Sequence, residues 1–242
     1  FLLIKLTGVD REVIEKWLYV IVGLTFLSGV LGTGHHYYYI GVNKIWLIVG
    51  GIFSALEPLA FLAMALFAVN MYRKGEKSHP NKIALFWTIG SAIVSFVGAG
   101  LLGFAHTLPQ VNIYTHGTLV TAMHGHYAFW GAYAMIVFAI ISYALPNLTG
   151  RKRYDSTQGH LAFWLSNIGI LGMTVAFGVA GVAQVYLERK MKMEFGDVQN
   201  EIAVHFVVLL ICATLFTVGI SMFIYDFIKY GRPTDEALDE SK

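Results

Sequence analysis

The chain has 242 residues, 56% hydrophobic and only 13% charged, with a mean hydropathy of +0.61. Soluble domains carry about 25% charged residues, so this composition belongs to an integral membrane protein. A formal net charge of +2 without a basic, aromatic-interleaved patch gives no nucleic-acid partner, and the lone Cys212 excludes an intrachain disulfide and reads as a small core hydrophobe.

The opening Phe1-Leu2-Leu3-Ile4 lacks the charged start and cleavage site of a signal peptide. It reads as the tail of an apolar helix cut mid-run, and the expectation is the C-terminal portion of a longer polypeptide. Six apolar stretches then reach the roughly 20 residues that cross a bilayer as a helix. They are predicted at about 17–41, 45–72, 83–107, 117–145, 160–187 and 203–229, followed by an acidic tail over 231–242. The expected fold class is all-α, a polytopic membrane helix bundle forming a single membrane domain over 1–242.

The first span ends in Gly32-Thr33-Gly34-His35-His36. Ionisable groups in hydrocarbon are costly and mark function, and imidazole is the commonest side-chain metal ligand. Adjacent histidines diverge by about 100° on a regular helix, so reaching one metal needs a distortion, which Gly32 and Gly34 permit. Two imidazoles with an open position suit iron, copper or zinc; the competing reading is a headgroup-level pair that binds nothing. In the second span Glu57 has no Lys or Arg nearby in sequence and reads as a proton relay or metal-side acid, or as a carboxyl satisfied by a neighbouring helix. Pro58 removes a helix hydrogen bond beside it and favours a kink.

The third span carries Gly98, Gly100 and Gly103, spaced for close helix approach, and ends at His106. His106, Thr107, Asn112, Thr115 and His116 form a loop without Lys or Arg, a place for haem propionates or a plain solvated, capped loop. In the fourth span His124 and His126 point about 200° apart. They cannot serve one metal but can serve two planar cofactors on opposite faces; a haem needs an axial ligand, and Gly125 leaves room. Two core histidines satisfied by hydrogen bonds are the alternative. His79 and His160 border charged loops and are expected to be solvated, and His205 has no assigned role.

Loop charges set the orientation. Lys5, Arg11 and Lys16 precede the first span; Arg73, Lys74, Lys77 and Lys82 follow the second; Arg151, Lys152 and Arg153 follow the fourth; Lys229 and Arg232 follow the sixth. The alternate loops carry Lys44, then no cation, then Arg189, Lys190 and Lys192 mixed with Glu188, Glu194, Asp197 and Glu201, which fits less well. By the positive-inside rule both ends of the chain are cytoplasmic. His35, His36, His106, His116, His124 and His126 then share the outer half of the membrane.

Gly32-Thr33-Gly34-His35-His36-Tyr37, Ala55-Leu56-Glu57-Pro58 and Tyr114-Thr115-His116-Gly117-Thr118 through His124-Gly125-His126 resemble the haem–copper oxidase superfamily. Within it they are similar to the large, haem-bearing subunits of bacterial cytochrome c-dependent nitric oxide reductases. The likeness covers essentially the whole chain as the last six of twelve helices. It implies reduction of nitric oxide to nitrous oxide in the denitrification branch of the respiratory chain, at the bacterial inner membrane. The implied cofactors are a low-spin haem b, a high-spin haem b, a non-haem iron and, upstream, calcium. The implied partners are nitric oxide, a membrane-anchored cytochrome c subunit, the preceding half of the same polypeptide and the lipid bilayer. Residue by residue it makes His35 and His36 iron ligands, His124 the high-spin haem ligand, His126 a low-spin haem ligand, Glu57 the carboxylate beside the iron and His116 a propionate contact. The alternatives are a quinol-dependent nitric oxide reductase, an oxygen-reducing terminal oxidase, and a His/Glu-lined transporter.

Overall fold

The computed structural model describes residues 1–10, 12, 15–75, 81–149 and 157–230. Among these, six helices are long and apolar enough to cross a membrane: Glu15–Tyr37, Lys44–Lys74, Lys82–Thr107, Leu119–Leu148, Thr157–Lys190 and Ala203–Lys229. The short helices Leu2–Thr7, Pro109–Thr115 and Phe195–Glu201 complete the order, with no strand among the described residues. The fold is the expected all-α polytopic bundle. Arg11, Lys77, His79, Arg151, Lys152, Arg153, Arg232 and the acidic tail lie outside the described residues.

The spans run up to about four residues longer or shorter than expected, and at two ends where they fall short glycine is the reason. The first span stops at Tyr37 rather than 41, because residues 38–41 turn and Gly41 takes a left-handed φ of 78°. Asn43 then starts the second span by accepting from the Ile45 amide at 3.0 Å. The fourth span starts at Leu119 rather than 117, after Gly117 at φ 73°. Its first amides are capped twice: Thr118 Oγ accepts from Val120 (3.3 Å) and Gln184 Oε1 of the fifth span accepts from Leu119 (2.9 Å).

The packed core lies near the start of the third span. Trp87, fully buried, meets Phe163, Phe138, Phe223 and Trp130 edge-on, with ring centroids 5.0 to 6.0 Å away. Edge-to-face rings at this spacing add about 0.5–1.5 kcal/mol per pair beyond burial. This cluster joins the last four spans and leaves the far end of the bundle to the polar groups. The fifth and sixth spans touch through Gly169 against the Phe216 backbone and Gly219 against Ser166. The first and second meet through Gly34 and Gly50, whose backbones abut. Such contacts replace the hydrophobic drive that lipid removes.

The spans are also irregular at particular places. Leu27–Leu31, Phe96–Leu102, Trp130–Ala134 and Tyr186–Lys190 widen into π-helix, and Thr33–Tyr37 tightens into 3-10 helix. The second span breaks at Ala55-Leu56, between the helical pieces Lys44–Ser54 and Glu57–Lys74. Most of these irregularities sit beside the histidines or Glu57, as π-bulges do at functional sites.

The Gly34–Gly50 contact yields a stability prediction. A Cβ at Gly34 would collide with the Trp46 carbonyl and the Gly50 backbone, whereas one at Gly23 would meet nothing within 4 Å. Gly34→Ala should therefore destabilise by about 1–3 kcal/mol through overpacking. Gly23→Ala should leave stability unchanged or raise it, since Ala outranks Gly in a helix by about 1 kcal/mol. Melting of the two variants in detergent, followed by circular dichroism, checks the opposite signs.

Candidate metal centre

The first span loses its regular winding just before its histidines. A π turn over Leu27–Leu31 leads into the tight Thr33–Tyr37 turn. The rings of His35 and His36 consequently lie 4.1 Å apart at 38° instead of splaying to opposite sides. Ser54, fully buried on the second span, fixes His35. Its hydroxyl donates to the Gly50 carbonyl at 2.6 Å, so at 2.6 Å from His35 Nδ1 it accepts the ring proton. A hydroxyl has one hydrogen, and this assigns the tautomer. His35 Nε2 keeps its lone pair.

The fourth span repeats this arrangement twice. His124 Nδ1–H donates to the Gly98 carbonyl, 2.9 Å away within the widened turn of the third span. His126 Nδ1–H donates to Ala122 on its own helix at 2.8 Å. Carbonyls only accept, so both rings also present a bare Nε2. The two diverge as their spacing requires. His124 faces the third span, stacked on His106 at 5.1 Å and 25°. His126 faces the fifth, stacked on Phe177 at 5.0 Å and 30°.

Glu57 bridges the two histidine segments. The break at Ala55-Leu56 restarts the second span at Glu57, with Pro58 in the first turn where its missing N–H is harmless. Glu57 Oε1 lies 3.5 Å from the point where a Gly32 side chain would begin. Oε2 lies 3.9 Å from the same point on Gly103, which is 3.2 Å from His124 Cε1. Gly32 and Gly103 thus leave the space into which the carboxylate reaches. His35, His36 and His124 are near enough to interact electrostatically. Among the described residues, no three His, Cys, Asp or Glu side chains converge as a complete metal site.

The connection between the third and fourth spans makes many of its hydrogen bonds within itself. Asn112 Nδ2 donates to the His106 carbonyl at 2.7 Å, Thr107 Oγ to Phe104 at 2.8 Å, and the Thr115 carbonyl accepts from Thr118 and Thr121. His106 itself is only 8% exposed. Of the capped, solvated loop expected as one of two readings, the capping holds while His106, Thr107 and Thr115 are buried, since helix 109–115 folds back and Asn112 takes the His106 carbonyl. His116 remains exposed, its ring 4.2 Å from Tyr39 and its carbonyl 3.4 Å from Arg189 Nη2. His160 is half-buried, edge-on to Phe86 at 5.2 Å, rather than solvated.

Residues 1–215 match the family model of cytochrome c and quinol oxidase polypeptide I. The chain belongs to this family. It is 47% identical over 240 residues, 96% of its length, to a nitric oxide reductase subunit from Stutzerimonas stutzeri, and covers 51% of that protein. It is 24% identical over 68% of its length to cytochrome c oxidase subunit 1 of Corynebacterium diphtheriae, covering 30% of it. It is also 35% identical over 40% of its length to a cytochrome c oxidase subunit 1 homolog of Agrobacterium tumefaciens, covering 18% of it. The chain thus spans about half the length of the first of these relatives, and less of the others.

Haem and iron, the cofactors this oxidase family implies, suit the donors present. A neutral imidazole with Nδ1–H fixed and Nε2 bare is the form that ligates iron, and its hydrogen-bond partner orients the ring. Sequence reasoning missed those partners. Ser54 and Phe177 carry no local signal, and Gly98 reads as a packing glycine although its carbonyl holds His124. A side chain at Gly98 would also strike the Tyr127–Ala128 backbone at 2.7 Å, so both functions need glycine there.

Ser54 is the cleanest partner to test, since Ser54→Ala leaves His35 Nδ1–H without its acceptor. Loss of such a partner typically weakens metal affinity about 10–100-fold. The expected result is reduced non-haem metal after dialysis against a chelator, measured by elemental analysis, at unchanged haem content.

Proposed function

We propose that this chain forms the C-terminal half of the large subunit of a cytochrome c-dependent nitric oxide reductase. The reaction joins two nitric oxide molecules, two electrons and two protons into nitrous oxide and water. The observation that carries this reading is the Glu57 carboxylate reaching between the double-histidine segment and His124. The 47% identity along nearly the whole chain to a nitric oxide reductase subunit supports it.

In this reading His124 holds a high-spin haem b and His126 a low-spin haem b, and the divergence of the two rings around their helix supports it. His35 and His36, with Glu57, hold a non-haem iron, completed by a histidine from the preceding half of the polypeptide. Mixed imidazole and carboxylate donors suit ferrous iron. When bound, these groups supply the electrons and keep two nitric oxide molecules close, which makes their meeting a local event. The protein fixes ring planes, excludes water and places one carboxylate for proton delivery. His116, exposed beside Arg189, faces the propionate edge. Calcium and the second low-spin ligand belong to the preceding half. The site occupies the outer half of the bacterial inner membrane, both ends of this chain are cytoplasmic, and a membrane-anchored cytochrome c is the electron donor.

Substitutions separate the roles. His124→Ala removes the high-spin haem and His126→Ala perturbs the low-spin one, distinguished by reduced-minus-oxidised spectra; identical loss of one signal from both would oppose two ligands. His35→Ala or His36→Ala depletes non-haem iron with haem retained. Copper bound in proportion to these two histidines would instead indicate an oxidase.

Glu57→Gln keeps the side-chain shape and removes the ionisable group. Nitric oxide consumption, measured by amperometric electrode, should fall at least about tenfold, or about 1.4 kcal/mol of barrier. Both haems stay bound because their ligands lie on other helices. Near-normal turnover with intact haems would reduce Glu57 to a packing residue.

A further inference from the structure

We infer that His106 is a positioning residue that sets the ring plane of His124, and through it the orientation of the haem that His124 carries. The inference rests on the proposed reading of His124 as a haem ligand. A ligand imidazole hangs from one bond, and a single hydrogen bond at Nδ1 fixes one edge while leaving the ring free to swing about that contact. The Gly98 carbonyl supplies only that edge restraint. A flat group against the ring face removes the remaining freedom, and His106 supplies it at 5.1 Å and 25°.

The geometry of His106 suits a rigid shelf. It is 8% exposed, and its Nδ1–H donates to the Leu102 carbonyl at 2.9 Å. Its own carbonyl is held by Asn112 at 2.7 Å, and the carbonyl of the next residue, Thr107, accepts from the Tyr38 hydroxyl. The shelf is therefore tied to the end of the first span, two residues beyond the histidine pair, and to helix 109–115. Its buried Nε2 finds no partner among the described residues.

The test uses the complete, haem-loaded enzyme and the iron–histidine stretching band of its reduced high-spin haem in resonance Raman spectra. His106→Ala should retain both haems but shift and broaden that band, with the low-spin haem spectrum unchanged as an internal standard. His106→Phe keeps a flat ring without nitrogens and should restore the wild-type band. A wild-type band in His106→Ala at full haem content would overturn the inference. So would a band in His106→Phe as displaced as that in His106→Ala. Should His106→Ala lose haem or fail to fold, His106→Phe decides alone, a wild-type band supporting the role and a displaced one refuting it. His124→Ala, measured alongside, isolates the underlying reading: survival of the high-spin band there refutes the ligand assignment itself, a result distinct from either His106 outcome.

Discussion

A histidine inside hydrocarbon has two ring nitrogens to satisfy and no water to help, and the organisation of this chain follows from how that is resolved. At His35, His124 and His126 the chain satisfies Nδ1 and leaves Nε2 bare. Three ring nitrogens at one end of the bundle are thereby left with an uncommitted lone pair, and a neutral imidazole in that state is the form in which histidine serves as a metal ligand. The tautomers are thus set by protein groups in advance of any ligand, which is the preorganisation that hydrogen-bond partners give to metal-binding imidazoles.

The helices meet these demands in different ways. The Ala122 carbonyl accepts from His126 inside a regular helix on its second lone pair, whereas the contacts that cross between spans to His35 and His124 sit where the winding changes. The widened turn Phe96–Leu102 presents the Gly98 carbonyl to His124 in this way. The change from π to 3-10 winding before His35 makes adjacent rings face one direction. The break at Ala55-Leu56 places Glu57 at a helix start rather than mid-helix. Two of these deviations sit where backbones nearly touch, Gly34 against Gly50 and Gly98 against Tyr127 and Ala128, and glycine makes both approaches sterically possible.

This division explains what was legible in the sequence. Span number and helical class follow from apolar length alone, and the 200° divergence of His124 and His126 follows from helix geometry. Gly32 and Gly34 announced a distortion beside His35, which the structure contains. What stayed hidden were groups whose role depends on a neighbouring span. Ser54 is nineteen residues from His35, and Phe177 lies on a different helix from His126. No local pattern encodes either contact, because a hydroxyl or a phenyl ring in an apolar run has a bland explanation everywhere else. His106 shows a related limit: at the edge of a polar loop its surroundings stay open between a propionate contact and a capped, solvated loop, and the fold-back of helix 109–115 buries it.

The fifth-to-sixth connection, whose cations fit the topology rule poorly, makes sense in the same terms. The positive-inside rule counts the Lys and Arg of each short loop, and in this loop they also have partners in the fold. Here Arg189 reaches the His116 carbonyl, Lys190 lies 5.8 Å over the Tyr186 ring, and Glu188 accepts from Gln184 at 2.8 Å. Gln184 in turn caps the helix that carries His124 and His126. These charged groups are tied to the fold at the end of the bundle where the histidine segments turn. Their placement records how the fifth span braces that end. One element makes both contacts: a fifth span that holds the first amide of the fourth and sets a cation beside His116.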